Sequence, residues 1–130
     1  MSENFFVEII SPDQSILRSD AVEVTIPSYE GQMGILKDHI SLITFLRPGL
    51  IKIKKENEEI FFFIEEGIVE FKNNNLLILT STSKSLENLD KDFLDMIIKD
   101  SEEKMNKEEI SDKEKYLLSH KIDTIREINQ

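Results

Sequence analysis

The composition of this chain breaks once, at Ser81-Thr82-Ser83-Lys84-Ser85, and that break constrains the fold more than any motif does. All four glycines and all three prolines stand before it. Beyond it there is no Gly, no Pro and only one Phe, and Glu, Lys, Leu and Ile dominate. Gly and Pro interrupt regular structure, so the first part must be cut into short elements by turns, while the second can run as long helices. Two parts are expected, residues 1 to 84 and residues 85 to 130.

The first part reads as short strands. Phe5-Phe6-Val7-Glu8-Ile9-Ile10 is stopped by Ser11-Pro12-Asp13, and Val22-Glu23-Val24-Thr25-Ile26 alternates with period 2, which puts Val22, Val24 and Ile26 on one buried face. Leu50-Ile51-Lys52-Ile53-Lys54 alternates likewise, and Glu56-Asn57-Glu58-Glu59 turns it into Ile60-Phe61-Phe62-Phe63-Ile64. Ile68-Val69-Glu70-Phe71 and Leu76-Leu77-Ile78-Leu79-Thr80 flank Lys72-Asn73-Asn74-Asn75, where Asn tolerates the left-handed backbone of a tight turn. Phe61-Phe62-Phe63 is expected to supply core rings and one outward ring. Between these strands, the stretch from Pro27 to Gly49 holds two prolines and three glycines, which predicts a specific irregular loop and not a strand.

In the second part Leu89, Phe93, Met96 and Ile97 fall at i, i+4, i+7, i+8, predicting an amphipathic helix over about 88 to 105. Ser111-Asp112-Lys113-Glu114 has the pattern of a capping box, and a second helix with Leu118, Ile122 and Ile125 on one stripe should begin there. The expected fold class is a mainly β N-terminal domain, a flattened β-sandwich or barrel, followed by a C-terminal antiparallel two-helix hairpin. Neither helix buries enough apolar area to be very stable alone, so the arm is a candidate for movement.

Charge and composition exclude several functions. The net charge of −10 repels a phosphate backbone, and no basic cluster offsets it, so no nucleic acid is expected as a partner. Each part carries 8 basic and 13 acidic side chains, so charge does not separate their roles. Without cysteine there is no disulfide, thiolate metal site or thiol nucleophile. The start, Met1-Ser2-Glu3-Asn4, is acidic where a signal peptide is basic, and no apolar run approaches the roughly 18 residues that span a bilayer. No direct membrane insertion is expected.

Catalysis finds little support. His39 and His120 are the two histidines, one in each part, and no spacing assembles a metal site around them. His39 has only Asp38 beside it as an orienting acid, and no nucleophile elbow is present. Glu30-Gly31-Gln32-Met33-Gly34 lacks the Lys-Ser/Thr of a P-loop and the third glycine of a dinucleotide fingerprint, which favours glycines needed for a tight turn. The acidic tail reads as a solvated helix face, with Lys113, Lys115, Lys121 and Arg126 as basic residues able to dock on an acidic partner.

With its parts in this order, the chain resembles the epsilon subunit family of F-type ATP synthases, called delta in mitochondria. The resemblance covers essentially the whole chain and is carried by Ile26-Pro27-Ser28-Tyr29-Glu30-Gly31-Gln32-Met33-Gly34-Ile35-Leu36-Lys37-Asp38-His39, then Leu42-Ile43-Thr44 and Arg47-Pro48-Gly49-Leu50-Ile51-Lys52-Ile53. It is supported by Ile64-Glu65-Glu66-Gly67-Ile68-Val69-Glu70-Phe71 and Leu77-Ile78-Leu79-Thr80. It implies a non-catalytic central-stalk (rotor) subunit that couples proton translocation to ATP synthesis. Its sandwich would hold the gamma subunit and meet the c-ring, with Glu30, Gly31, Gln32 and His39 matching the family region near the c-ring. The two C-terminal helices would inhibit ATP hydrolysis through the alpha and beta catalytic subunits, with Lys113, Lys115, Lys121 and Arg126 as the regulatory candidates. The location implied is peripheral, in the F1 sector on the cytoplasmic face of the bacterial inner membrane.

Two departures from the family stand out. Lys37 and Ser41 take positions where the family commonly has prolines, implying a less stiff loop. Phe93 stands where several bacterial members carry the arginine of an ATP-binding motif, so no cofactor is expected. The competing readings are a free-standing β-sandwich interaction module and a hydrolase using His39 as base.

Overall fold

A computed structural model describes residues 3–107 and 109–128. Among them are ten strands, β1 (Phe5–Ile10), β2 (Ser15–Ala21), β3 (Glu23–Ser28), β4 (Gly31–Leu36), β5 (Leu42–Leu46), β6 (Gly49–Lys54), β7 (Glu59–Ile64), β8 (Gly67–Lys72), β9 (Asn75–Leu79) and β10 (Lys84–Ser85). Two helices follow, α1 (Lys91–Met105) and α2 (Asp112–Ile128). The chain divides into two compact units between Leu86 and Glu87.

The strands run β10-β7-β6-β3-β5-β8-β9-β1-β2, with β4 paired to β3 outside that path. The β1/β9 pair is parallel and the remaining pairs are antiparallel. The sheet folds over at β3, whose Glu23, Val24 and Thr25 pair with β6 while Ser28 pairs with Leu46 of β5. Alternation then fills the interior: Phe5, Val7 and Ile9 of β1, Val24 and Ile26 of β3, Ile51 and Ile53 of β6, Val69 and Phe71 of β8, and Leu76 and Ile78 of β9 form one core.

The structure corrects the sequence reading between Pro27 and Gly49. This stretch is not an irregular loop: it contains the end of β3, all of β4 and β5, and the start of β6. Glycine and proline serve close approach and one tight turn. The turn at Tyr29 and Glu30 is fixed by Ser28, whose hydroxyl donates to the Gly31 carbonyl at 2.7 Å and accepts from the Glu30 N–H at 3.2 Å. Gly31 has φ 124°, a conformation that side-chain-bearing residues rarely adopt. Gly49 lets β6 cross Pro27 so closely that a Cβ there would lie 2.5 Å from the Pro27 Cβ. Pro27 still serves the ladder as an acceptor, taking the Arg47 N–H at 3.0 Å.

Other differences are smaller. Val22 is half-buried and precedes the strand in which it was expected. Phe62 and Phe63 are both buried and Phe61 is half-buried, so the triplet presents no exposed ring. The polar connector contains β10, in which Lys84 and Ser85 pair with Phe63 and Phe62.

In the helical unit, α1 starts at an Asp90 cap whose carboxylate accepts the Phe93 N–H at 2.7 Å. Because the helix begins at Lys91, Leu89 lies before it. The less exposed face carries Leu94, Ile97, Ile98, Ser101 and Met105, while Met96 is 59% exposed, contrary to the predicted stripe. The hydroxyl of Ser101, a polar residue on the buried face, hid the true phase of the pattern. In α2, Ile122 and Ile125 are buried and Leu118 half-buried, as the spacing requires. Ser111 caps α2 by accepting the Glu114 N–H at 3.1 Å, and its hydroxyl donates to the Glu114 carboxylate at 3.2 Å. The two helices pack on each other, with Arg126 and Glu102 4.0 Å apart across the pair.

Candidate functional site

Alternation puts one residue in two of each strand on the outer face, and on β5, β8 and β9 several of these are apolar. Phe45 lies opposite Ile68, Ile68 opposite Leu79, and Leu79 beside Ile10, so four apolar side chains form a row across four adjacent strands. Phe45 is 57% exposed, Leu79 43% and Ile68 41%, with Ile43 two residues before Phe45 at 69%. Tyr29 joins them, because its N–H donates to the Phe45 carbonyl at 3.2 Å.

Ile10, Tyr29, Phe45, Ile68 and Leu79 line a groove of about 670 Å³ together with Pro12, Leu46, Gly67 and Thr80. The floor is tied down by hydroxyls. Thr80 Oγ1 donates to the Glu66 carbonyl at 2.5 Å, and Thr82 Oγ1 accepts the Glu65 N–H at 3.0 Å. Gly67 is required there, since a Cβ would meet the Leu79 carbonyl oxygen at 2.9 Å. The apolar row is bounded along the strands by Glu66 and Glu70. A preformed apolar concavity with a polar margin is the surface a protein partner covers.

The residues singled out in the sequence do not form one cluster. Glu30 and Gln32 are exposed and Gly31 half-buried, all at the β3/β4 turn. His39 lies beyond the other end of β4, roughly 17 Å of strand away at about 3.3 Å per residue. Its ring meets the edge of Phe71 with centroids 5.9 Å apart, and Nδ1 donates to the Ile40 carbonyl at 2.8 Å. That contact needs a proton on Nδ1, because a carbonyl oxygen only accepts. Neither contact prepares it as a base for a nucleophile.

The basic residues of the tail are also dispersed. Lys113 and Lys115 are exposed in the first turn of α2, Lys121 is half-buried, and Arg126 lies in the last turn beside Glu102. That pair is more than half exposed on both sides and contributes at most about 1 kcal/mol. At the start of α1 the Asp90 carboxylate holds the Phe93 amide, a negative charge where a phosphate would need positive partners. Among the described residues no group of three or more His, Cys, Asp or Glu side chains is placed to hold a metal ion.

Sequence reasoning missed the groove because its residues were read as part of a loop or of the core. The signal was present: Leu42-Ile43-Thr44-Phe45-Leu46 is apolar at inward and outward positions alike, as are Gly67-Ile68-Val69 and Leu76 to Leu79. A strand apolar on both faces is covered on both faces.

A sandwich with an apolar outer groove, joined to a small helical unit, defines a docking subunit whose surfaces recognise other proteins. Comparisons with known proteins make this specific. Residues 4–85 match the family model of the ATP synthase delta/epsilon chain, beta-sandwich domain. The chain is 47% identical over 130 residues to the ATP synthase epsilon chain of Pelagibacter ubique (strain HTCC1062), covering 99% of this chain and 100% of that one. It is 32% identical to the chloroplastic ATP synthase epsilon chain of Guillardia theta, covering 80% and 83%. The chain belongs to the ATP synthase delta/epsilon family.

Two solved structures share its fold. A chain of the Euglena gracilis mitochondrial ATP synthase (OSCP/F1/c-ring) superposes with TM-score 0.83 at 18% identity, covering 100% of this chain and 84% of that one. A chain from the Tetrahymena thermophila mitochondrial ATP synthase central stalk and c-ring superposes with TM-score 0.64 at 20% identity, covering 95% and 92%. The function is that of an epsilon chain, a non-catalytic part of the F1 sector, and the hydrolase and free-standing module readings are not favoured. Among the described residues no helix is long and apolar enough to cross a membrane.

Proposed function

We propose that this chain works at the foot of the rotor, gripping the gamma subunit through the groove of Tyr29, Phe45, Ile68 and Leu79 and coupling proton translocation to ATP synthesis. The observation that carries this reading is the in-register apolar row on an outer sheet face. Covering the exposed part of Phe45, Ile68 and Leu79 gains on the order of 1 kcal/mol each, enough for a specific contact when packed together. The Euglena and Tetrahymena relatives in fold come from assemblies described as containing a c-ring, which supports the c-ring as the second partner.

In this reading Glu30, Gly31, Gln32 and His39 make two separate contacts with the c-ring, one from each end of β4. The helices of the unit beginning at Glu87 are a regulatory arm, with Lys113, Lys115, Lys121 and Arg126 meeting acidic surfaces of the alpha and beta subunits. The complex sits on the cytoplasmic face of a bacterial inner membrane, the location suggested by the Pelagibacter ubique relative, which this chain covers in full.

Co-expression with gamma tests the grip: the chain should be retained on purified gamma-containing complex, and loss of the chain on washing would sink the reading. The arm is tested by removing residues 87–130 from the assembled complex and measuring ATP hydrolysis. Faster hydrolysis is expected, and an unchanged rate counts against an inhibitory role.

A further inference from the structure

Two turns with left-handed backbone face each other beside His39. Asp38 has φ 68°, and the two residues between β8 and β9, Asn73 and Asn74, have φ 52° and 59°. Outside glycine this conformation is uncommon, and Asn and Asp are the residues that adopt it most readily. The turns are joined although 36 residues separate them: the Asp38 N–H donates to Asn74 Oδ1 at 2.7 Å, and Asn74 Nδ2 donates to Asp38 Oδ1 at 3.0 Å.

The clip is anchored on both sides. The Asn74 carbonyl accepts the N–H of Phe6 on β1 at 3.0 Å, which ties the turn to a strand of the core. In the loop, the His39 N–H donates to the Leu36 carbonyl at 3.1 Å, and its ring rests on Phe71, which packs edge-on against Phe5 at 5.7 Å. The loop presents two apolar side chains outward, Ile40 at 78% and Leu36 at 54% exposure, beside the exposed polar residues Lys37, Asp38 and Ser41. Exposed side chains give a loop little burial to order it, so the clip adds a restraint to those that His39 already makes.

We propose that the Asp38–Asn74 clip is a positioning device that orders residues 37–41 before docking, so that His39 and Ile40 meet the c-ring in one arrangement. A segment ordered in advance loses less freedom when its partner arrives. Asp38 and Asn74 are then positioning residues and touch no reacting group. The inference rests on the reading that this loop docks on the c-ring.

Three variants test it. Asn74→Gly keeps the left-handed turn without strain and removes both side-chain bonds of the clip, at the cost of a freer backbone that the double variant below does not introduce. Asn74→Asp sets two carboxylates against each other. Combining it with Asp38→Asn restores both bonds, because the amide at position 38 then donates to the carboxylate at position 74.

In the purified chain, amide exchange at Asp38 should accelerate about tenfold in Asn74→Gly and in Asn74→Asp, and return to within about threefold of wild type in the double variant. In the assembled complex, protons pumped per ATP hydrolysed should fall at least about twofold in the two single variants and recover in the double. Unchanged exchange would mean the clip does not order the loop. Faster exchange with unchanged pumping would make it a purely structural tie. Either result overturns the proposal. Failure of the wild-type chain to stay with the c-ring would instead remove the docking reading, and the exchange data would still judge the clip.

Discussion

Replacing Gly49 by Ala should loosen the sandwich, while the same replacement at Gly34 should leave it unchanged or slightly firmer. A Cβ at position 49 would lie 2.5 Å from Pro27 Cβ and 2.9 Å from Cγ. Carbon atoms ordinarily rest about 3.5–4.0 Å apart, so one strand must move by about 1 Å. Pro27 is buried, its ring has no rotamer that escapes the contact, and its carbonyl holds the Arg47 N–H. Overpacking of this kind costs about 1–3 kcal/mol. Against it, Ala restricts the unfolded chain and returns about 0.4–1 kcal/mol, since Gly49 does not need a positive φ. The net loss lies between about 0 and 2.6 kcal/mol, with a midpoint of about 1 kcal/mol that corresponds to a factor of roughly 5 in the folded ratio. At Gly34 the nearest atom is Glu23 Oε2 at 3.5 Å, an ordinary contact, so only the favourable effect on the unfolded chain remains. Because the chain has two units, a single melting midpoint mixes them, and exchange of the slowest β6 amides is the better readout. Equal effects at the two glycines would refute the idea that close approach to Pro27 is what requires Gly49.

Two further predictions concern the helices. Ser101 is fully buried and its Oγ has no hydrogen-bond partner among the described residues, so Ser101→Ala should slow opening of α1 and α2 by about 1–2 kcal/mol through relief of the unpaired hydroxyl and better helix propensity. Amide exchange of the helices reads this, and faster exchange would show that the hydroxyl is satisfied in solution. Ser111→Ala should cost α2 about 1 kcal/mol by removing its N-cap, seen as fraying of the first turn, and protection unchanged around Glu114 would contradict the capping geometry.

Much of the fold was legible because local signals agreed with it. The outward and inward alternation of Leu50 to Lys54 became β6, the Asn73-Asn74 pair became the left-handed turn between β8 and β9, and Ser111 capped α2. What stayed hidden depended on partners distant in sequence. β2 is an edge strand of mostly polar residues, Ser15–Ala21, held by pairing with β1 and not by an apolar pattern of its own. β4 and β5 were masked by glycines and prolines whose use is visible only when Gly49 lies against Pro27. The groove was hidden for a related reason: Phe45, Ile68 and Leu79 come from three strands, and only the register shows that they form one row. The clip from Asn74 to Asp38 joins two turns that no local pattern connects.

The groove carries the functional account, and Phe45 tests it with the least disturbance to folding because its ring already stands outward on β5. The measurement is the equilibrium affinity of wild type and Phe45→Asp for the gamma-containing complex at one fixed salt concentration. A carboxylate buried there loses its hydration without gaining a partner, and the packing of the ring is lost as well, so affinity should fall at least about 100-fold. Protection of the sandwich amides should stay at the wild-type level. Equal affinity in the two proteins would contradict gamma docking on this face.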